Sequence, residues 1–137
     1  MKTRLLFEDT YRVVGVMEGK QCPADDFLTH GEKSTEASRL GLSAMLAYVA
    51  ENGLQNMPRA WSHEVSKENG IYEFIRGSLR LLYFKGLNGE IAVCAVGVRK
   101  SGQKADKAAV ARAVEMKKAY LKAVNNNTYE VVEDEDK

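Results

Sequence analysis

Two short turns restrict what this chain can fold into more than any other feature. Gly77-Ser78 and Asn88-Gly89 each favour a two-residue hairpin loop, because glycine and asparagine accept the positive φ that such loops demand. The turns separate three β-prone runs, GIYEFIR, LRLLYF and EIAVCAVGVR, and a basic helical segment follows. If Arg76 pairs with Leu79, then Ile75 faces Arg80 and Glu73 faces Leu82. At the second turn Leu87 or Lys85 pairs with Glu90, and both registers set even residues against odd ones. Side chains alternate with period two, so parity assigns the faces. One face then carries Tyr72, Phe74, Leu79, Leu81, Tyr83, Cys94, Val96 and Val98, apolar enough for a core. The other carries Glu73, Ile75, Arg80, Leu82, Phe84, Val93, Ala95, Gly97 and Arg99. On this reading Gly97 lies opposite Arg80, and its missing side chain leaves room for a ligand.

A carboxylate beside two guanidinium groups has an evident chemistry. Arginine presents a planar fork of donors that fits phosphate and can stabilise charge in a transition state. Glu73 can accept the proton of a ribose 2′-hydroxyl. The same residues on an uncovered sheet face also serve as a solvated cross-strand ion pair, and spacing alone does not separate the two.

The run GIYEFIRGSLRLLYF, a last strand ending in RK, then GQK and a helix with alanines and KKAYL resembles the RelE/HigB-like toxin superfamily of type II toxin–antitoxin systems, most closely its phage-derived host-inhibition branch. The resemblance covers about Val65 to Leu121; upstream it is only an order of elements. It implies a small ribonuclease that cuts messenger RNA, usually on the ribosome, without a metal or other cofactor, and that a partner antitoxin holds silent. Arg80 matches the family's strand arginine, here in LRLLY, and Arg99 its basic residue after the last strand. Glu73 falls where members carry a lysine or a carboxylate, and Lys100 and Lys104 match a "KK…QK" run. The chain departs from the family at Gly97-Val98, where relatives often have an aromatic residue, and at Ala105, where a proline commonly opens the last helix. The run from Gly97 to Ala105 offers no histidine or tyrosine as an obvious general acid.

At 137 residues the chain suits one domain with a modest core. Two cysteines, Cys22 and Cys94, are too few for a disulfide framework, and no Cys/His spacing suggests zinc. Cys94 lies in an apolar run and reads as a buried small residue. Glu8 and Asp9 interrupt any export signal, and no run reaches the length of a membrane span; the expectation is a cytoplasmic protein with no membrane contact. The formal charge is +1, but the tail NNNTYEVVEDEDK holds five acids and one lysine. Residues 1–124 therefore hold 19 basic and 14 acidic groups, a balance that suits a nucleic-acid partner.

Taken in order, Thr3–Val16 is β-prone with a break at Glu8-Asp9-Thr10, either one bent strand or a hairpin. Pro23 suits the first position of a short helix that Gly31 stops. A longer helix runs from Thr35 to Asn52, with Gly53 as its stop and Ala37, Leu40, Ala44, Met45, Tyr48 and Val49 as its apolar stripe. The segment to Asn69 holds Pro58, Trp61 and His63, with a short strand or turn around Trp61–Val65. His63 is a candidate general acid because imidazole as a group titrates near neutrality, but a lone loop histidine usually decorates a surface. Lys104–Val124 forms the basic last helix, with Ala105, Ala109, Ala113, Met116, Tyr120 and Val124 inward. The acidic tail is either disordered or adds a strand through Thr128–Val132.

The expected architecture is therefore α+β: one RelE-like domain over residues 1–124, its antiparallel or mixed sheet covered by helices on one face and left open and basic on the other. Residues 125–137 form an acidic C-terminal tail. The leading expectation is a metal-independent messenger-RNA endoribonuclease. Glu73, Arg80 and Arg99 would be catalytic, and Lys100, Lys104 and, less centrally, Arg76 would bind RNA. Partners would be a cognate antitoxin and messenger RNA or the ribosome, in a homodimer or toxin–antitoxin hetero-oligomer. The alternatives are a non-enzymatic toxin of the same superfamily that binds a protein such as DNA gyrase, or a phage accessory protein.

Overall fold

The computed structural model describes residues 1–100 and 106–133. Lys2–Glu8 (β1) and Arg12–Val16 (β2) form an antiparallel hairpin, so the acidic break is a turn. Pro23–Thr29 (α1) begins on its proline, whose missing N–H costs nothing at a helix start. Glu36–Asn52 (α2) ends at Gly53, which takes φ +89°. Ser62–Ser66 (β3), Ile71–Arg76 (β4), Leu79–Phe84 (β5) and Glu90–Arg99 (β6) follow as an antiparallel series. Lys107–Asn125 (α3) leads to Glu130–Val132 (β7). The strands make one seven-stranded mixed sheet in the order β3-β4-β5-β6-β2-β1-β7, with β2 parallel to β6 and β7 parallel to β1.

The fold is mixed α+β, but helices cover both faces of the sheet. On one side α1 and α2 bury Leu28, Leu42, Met45, Leu46 and Val49 against Phe74, Leu79, Leu81, Tyr83 and Cys94. On the other, α3 buries Ala109, Ala113, Met116 and Tyr120 against Ile71, Leu82, Phe84, Val93, Ala95 and Val96. Each large apolar side chain so buried contributes about 1.5–3 kcal/mol. The expectation that helices pack on one face alone is therefore corrected: a sheet whose middle strands are apolar on both faces needs a cover on each. The α3 stripe matches its expected spacing from Ala109 onward, and Asp106 caps the helix by accepting the Ala109 N–H at 2.9 Å. The α2 stripe is rotated from the expected one. Met45 and Val49 are buried with Leu42 and Leu46, whereas Leu40 is 67% exposed and Ala37 and Ala44 face solvent.

The β4–β5 ladder has the expected register, with Glu73 opposite Leu82 and Ile75 opposite Arg80. The β5–β6 ladder starts as expected, with Phe84 opposite Val93 and Tyr83 opposite Cys94. It then slips: Leu81 meets Gly97, Arg80 meets Val98 and Leu79 meets Arg99. Leu82 alone on β5 faces two residues on β6, so a bulge sits at Ala95-Val96, and both of these join the α3-side core. A bulge reverses the alternation beyond it. Gly97 and Arg99 consequently face α1 and α2, while Val98 shares the face of Arg80.

Candidate functional site

The slip separates the residues that parity had placed together. Arg99 turns toward the helix-covered face, where its Nη1 donates to Glu32 Oε1 at 2.7 Å in an exposed pair. Gly97 leaves room for no ligand, because the ring of Phe27 in α1 fills its side-chain space; a Cβ there would stand 2.2 Å from that ring. Arg76 also lies on this side, its guanidinium over Gly41 of α2, where an added Cβ would stand 2.6 Å from Nε. Arg99 is therefore not beside Glu73, which corrects the expected grouping, whereas Arg76 lies on the face that its parity required. Lys104 falls outside the described residues.

Four side chains do converge on the α3 side of the sheet. Glu73 is only 2% exposed. His63 pairs directly opposite it in β3 and brings Nε2 to 2.9 Å from Glu73 Oε1. Arg80 Nε stands 3.6 Å and Lys100 Nζ 3.9 Å from the same oxygen. Despite this crowding of positive groups, Glu73 Oε1 and Arg80 Nε have no hydrogen-bond partner among the described residues; the approach of His63 is an ionic proximity without hydrogen-bond alignment. Arg80 is fixed from its other end, where Nη1 donates to the carbonyls of Gly77 and Leu79 at 2.8 and 2.9 Å. The Lys100 backbone N–H donates to Ser78 O at 2.7 Å, which anchors the end of β6 to the β4–β5 turn. One carboxylate among Arg80, Lys100 and His63 leaves the cluster positive, the sign that attracts an anion.

His63 is the residue whose place the sequence reading missed. Its signal was present in Asn69-Gly70, a further hairpin pair, where Gly70 takes φ +65°. That turn folds β3 back on β4 and sets His63 against Glu73. Glu73 itself is too deeply buried to meet a substrate, whereas the His63 side chain is 52% exposed. The exposed member of the pair is thus the imidazole, with the buried Glu73 carboxylate 2.9 Å behind it.

A second buried acid, Glu90, is also 2% exposed but is fully engaged. Tyr120 Oη donates to its Oε1 at 2.5 Å, and Tyr129 Oη lies 2.8 Å from both oxygens. Arg12 stands at 3.8 Å. Burial, with the neighbouring carboxylate, pushes both phenols well above the usual tyrosine range, so they remain donors. Burial likewise pushes the Cys94 thiol far up, consistent with a packing residue. The fold and cluster together define a mixed α+β domain with an anion-attracting site at one end of its α3-covered face. No protein-family model and no curated protein matches the sequence.

Proposed function

We propose that this protein is a metal-independent endoribonuclease of the RelE/HigB-like toxin type, cutting messenger RNA and restrained by a cognate antitoxin. The observation that carries the reading is the buried Glu73 carboxylate gathering His63, Arg80 and Lys100 within 2.9–3.9 Å. It rests also on the resemblance of the Val65–Leu121 stretch to that superfamily. His63 takes the proton of the ribose 2′-hydroxyl, and Glu73 stabilises the resulting imidazolium through Nε2. The 2′-oxygen forms a bond to phosphorus as the bond from phosphorus to the 5′-oxygen breaks. Arg80 stabilises the charge on the non-bridging oxygens, and Lys100 gives a proton to the departing 5′-oxygen. The products are a 2′,3′-cyclic phosphate and a 5′-hydroxyl, and solvent restores both proton carriers.

The test is RNA cleavage by the purified chain, with free and ribosome-bound messenger, in the presence of a chelator. Expected are cyclic-phosphate ends from the wild type and their loss in His63→Ala and Arg80→Ala. Full cleavage by Arg80→Ala, or intact RNA and undisturbed translation with the wild type, rejects the proposal. Loss of DNA supercoiling ahead of protein synthesis on induction would instead favour the gyrase-binding alternative.

A further inference from the structure

The face opposite Glu73 carries a cleft of about 740 Å³ between the Leu54–Trp61 segment and the β3–β4–β5 end of the sheet. Its size falls among clefts that enclose small organic groups, about 300–1,000 Å³. Leu54, Met57 and Ile91 provide apolar walls. The floor is Tyr72 stacked on Tyr83 with centroids 5.5 Å apart, and the fully buried Phe74 backs Tyr83 from beneath at 4.0 Å. Tyr83 is satisfied by Ser62, Oη to Oγ 2.7 Å, whereas the half-buried Tyr72 makes no hydrogen bond through its hydroxyl among the described residues. Lys85 Nζ rests over the Tyr72 ring, 5.2 Å from its centroid. Glu64 is the one carboxylate in the lining, and neither Lys85 nor Arg59 at the rim forms an ion pair with it or with any other carboxylate among the described residues.

A planar aromatic floor with unpaired cations at its edge is the combination that binds single-stranded nucleic acid. Bases stack on the rings and cations track the phosphates. Tyr72 and Glu73 are neighbours in β4 and point to opposite faces. Because β3 is the edge strand of the sheet, the way from the cleft to the Glu73 cluster on the opposite face runs around β3. His63 touches both, lining the cleft and meeting Glu73.

We propose that this cleft seats an unpaired base of the RNA strand whose scissile phosphate lies at Arg80 and Lys100, the strand passing over the β3 edge. The incoming base takes the Tyr72 face that Lys85 now covers, and Lys85 moves onto the adjoining phosphate. This assignment rests on the ribonuclease reading for the second half of the path, but the cleft can be tested without it.

Binding is measured by fluorescence anisotropy at low salt, with an end-labelled oligoribonucleotide of about twelve nucleotides. It carries 2′-O-methyl ribose throughout, so that it cannot be cut. Lys85→Glu, at an exposed position, and Tyr72→Leu are each expected to weaken binding about ten-fold or more. Lys20→Glu, exposed and outside the cleft lining, is expected to leave binding unchanged. Wild-type affinity in both cleft variants overturns the cleft assignment whatever the cleavage results. Cleft-dependent binding by a wild type that never cuts RNA supports the cleft and rejects the ribonuclease. A cleft that takes a proline-rich peptide but no RNA overturns the assignment, and so does a wild type that binds no RNA.

Discussion

Glu73 and Glu90 are each 2% exposed, yet their surroundings differ in kind. Glu90 receives hydroxyl donors from Tyr120 in α3 and from Tyr129 beyond it, with Arg12 of β2 nearby. Its bonds tie the last helix, the C-terminal segment and the sheet centre together, and Thr3 of β1 extends the network to Tyr129 at 2.6 Å. Glu73 faces basic groups that approach without completing hydrogen bonds to Oε1. A satisfied buried acid holds a fold in one arrangement. An unsatisfied one surrounded by cations keeps capacity that a ligand can use, which is the property expected of a reactive site.

The largest expected effect tests the reactive half of this contrast. Glu73→Gln preserves size but removes the charge that supports the imidazolium, and cleavage should fall about 10²–10⁴-fold with a smaller stability loss than any comparable change at Glu90. Single-turnover cleavage and urea unfolding on the same samples check this. Unchanged cleavage with a lowered unfolding midpoint would make Glu73 a second structural acid and erase the distinction.

Glu90→Ala tests the other half. Two buried phenol hydroxyls lose their acceptor and Arg12 its carboxylate, so stability should drop about 3–5 kcal/mol in urea unfolding. The buried tyrosines on the two sides of the sheet predict an alkaline limit. Burial raises the Tyr83 phenol from 10 to about 12, and Tyr120 and Tyr129 shift in the same direction. A group with a raised folded pKa releases its proton more readily when unfolded. Its stabilising share is therefore full below pH 10 and is lost as pH climbs toward 12. Unfolding midpoints measured from pH 9 to 12 should fall across that window, and a flat profile would contradict the donor role of these hydroxyls.

What could be read from the sequence follows from how sharply each element punishes error. The turns at Gly77-Ser78 and Asn88-Gly89 were legible because few residues tolerate their backbone, and they fixed the β4–β5 register correctly. The Ala95-Val96 bulge was not. The run IAVCAVGV is apolar without a break, so no polar residue marks where the alternation reverses, and the error carried Gly97 and Arg99 to the wrong face. The side on which α3 packs was hidden for a similar reason, since an apolar helical stripe looks the same whichever sheet face receives it. In α2, Leu40 competed with Leu42 and Leu46 for the inward position, and only tertiary packing decided between them. Of the candidate site, Glu73, Arg80 and Lys100 were identified from the strands and the family resemblance, whereas His63 depended on a β3–β4 hairpin that was not drawn.

Gly97 gives an intermediate test of the register. Gly97→Ala places a methyl into the Phe27 ring and should cost about 1–3 kcal/mol through overpacking. The damage falls on the α1 side, so cleavage by the folded fraction should persist. An unaffected unfolding midpoint would return Gly97 to the Glu73 face, where the sequence reading had put it.

The smallest expected effect belongs to Arg99. With the bulge in place, Arg99 holds only Glu32 among the described residues, and the two side chains are 55% and 73% exposed. An ion pair so open to water contributes about 0.5 kcal/mol or less. Arg99→Ala should therefore leave both unfolding and the chemical step close to wild type, while Arg80→Ala abolishes cleavage. A large loss of cleavage in Arg99→Ala, at normal stability, would mean that RNA reaches the helix-covered face at the end of β6. In that case the basic groups on the two faces would act on one strand, and the division between a reactive Glu73 cluster and a purely structural remainder would have to move.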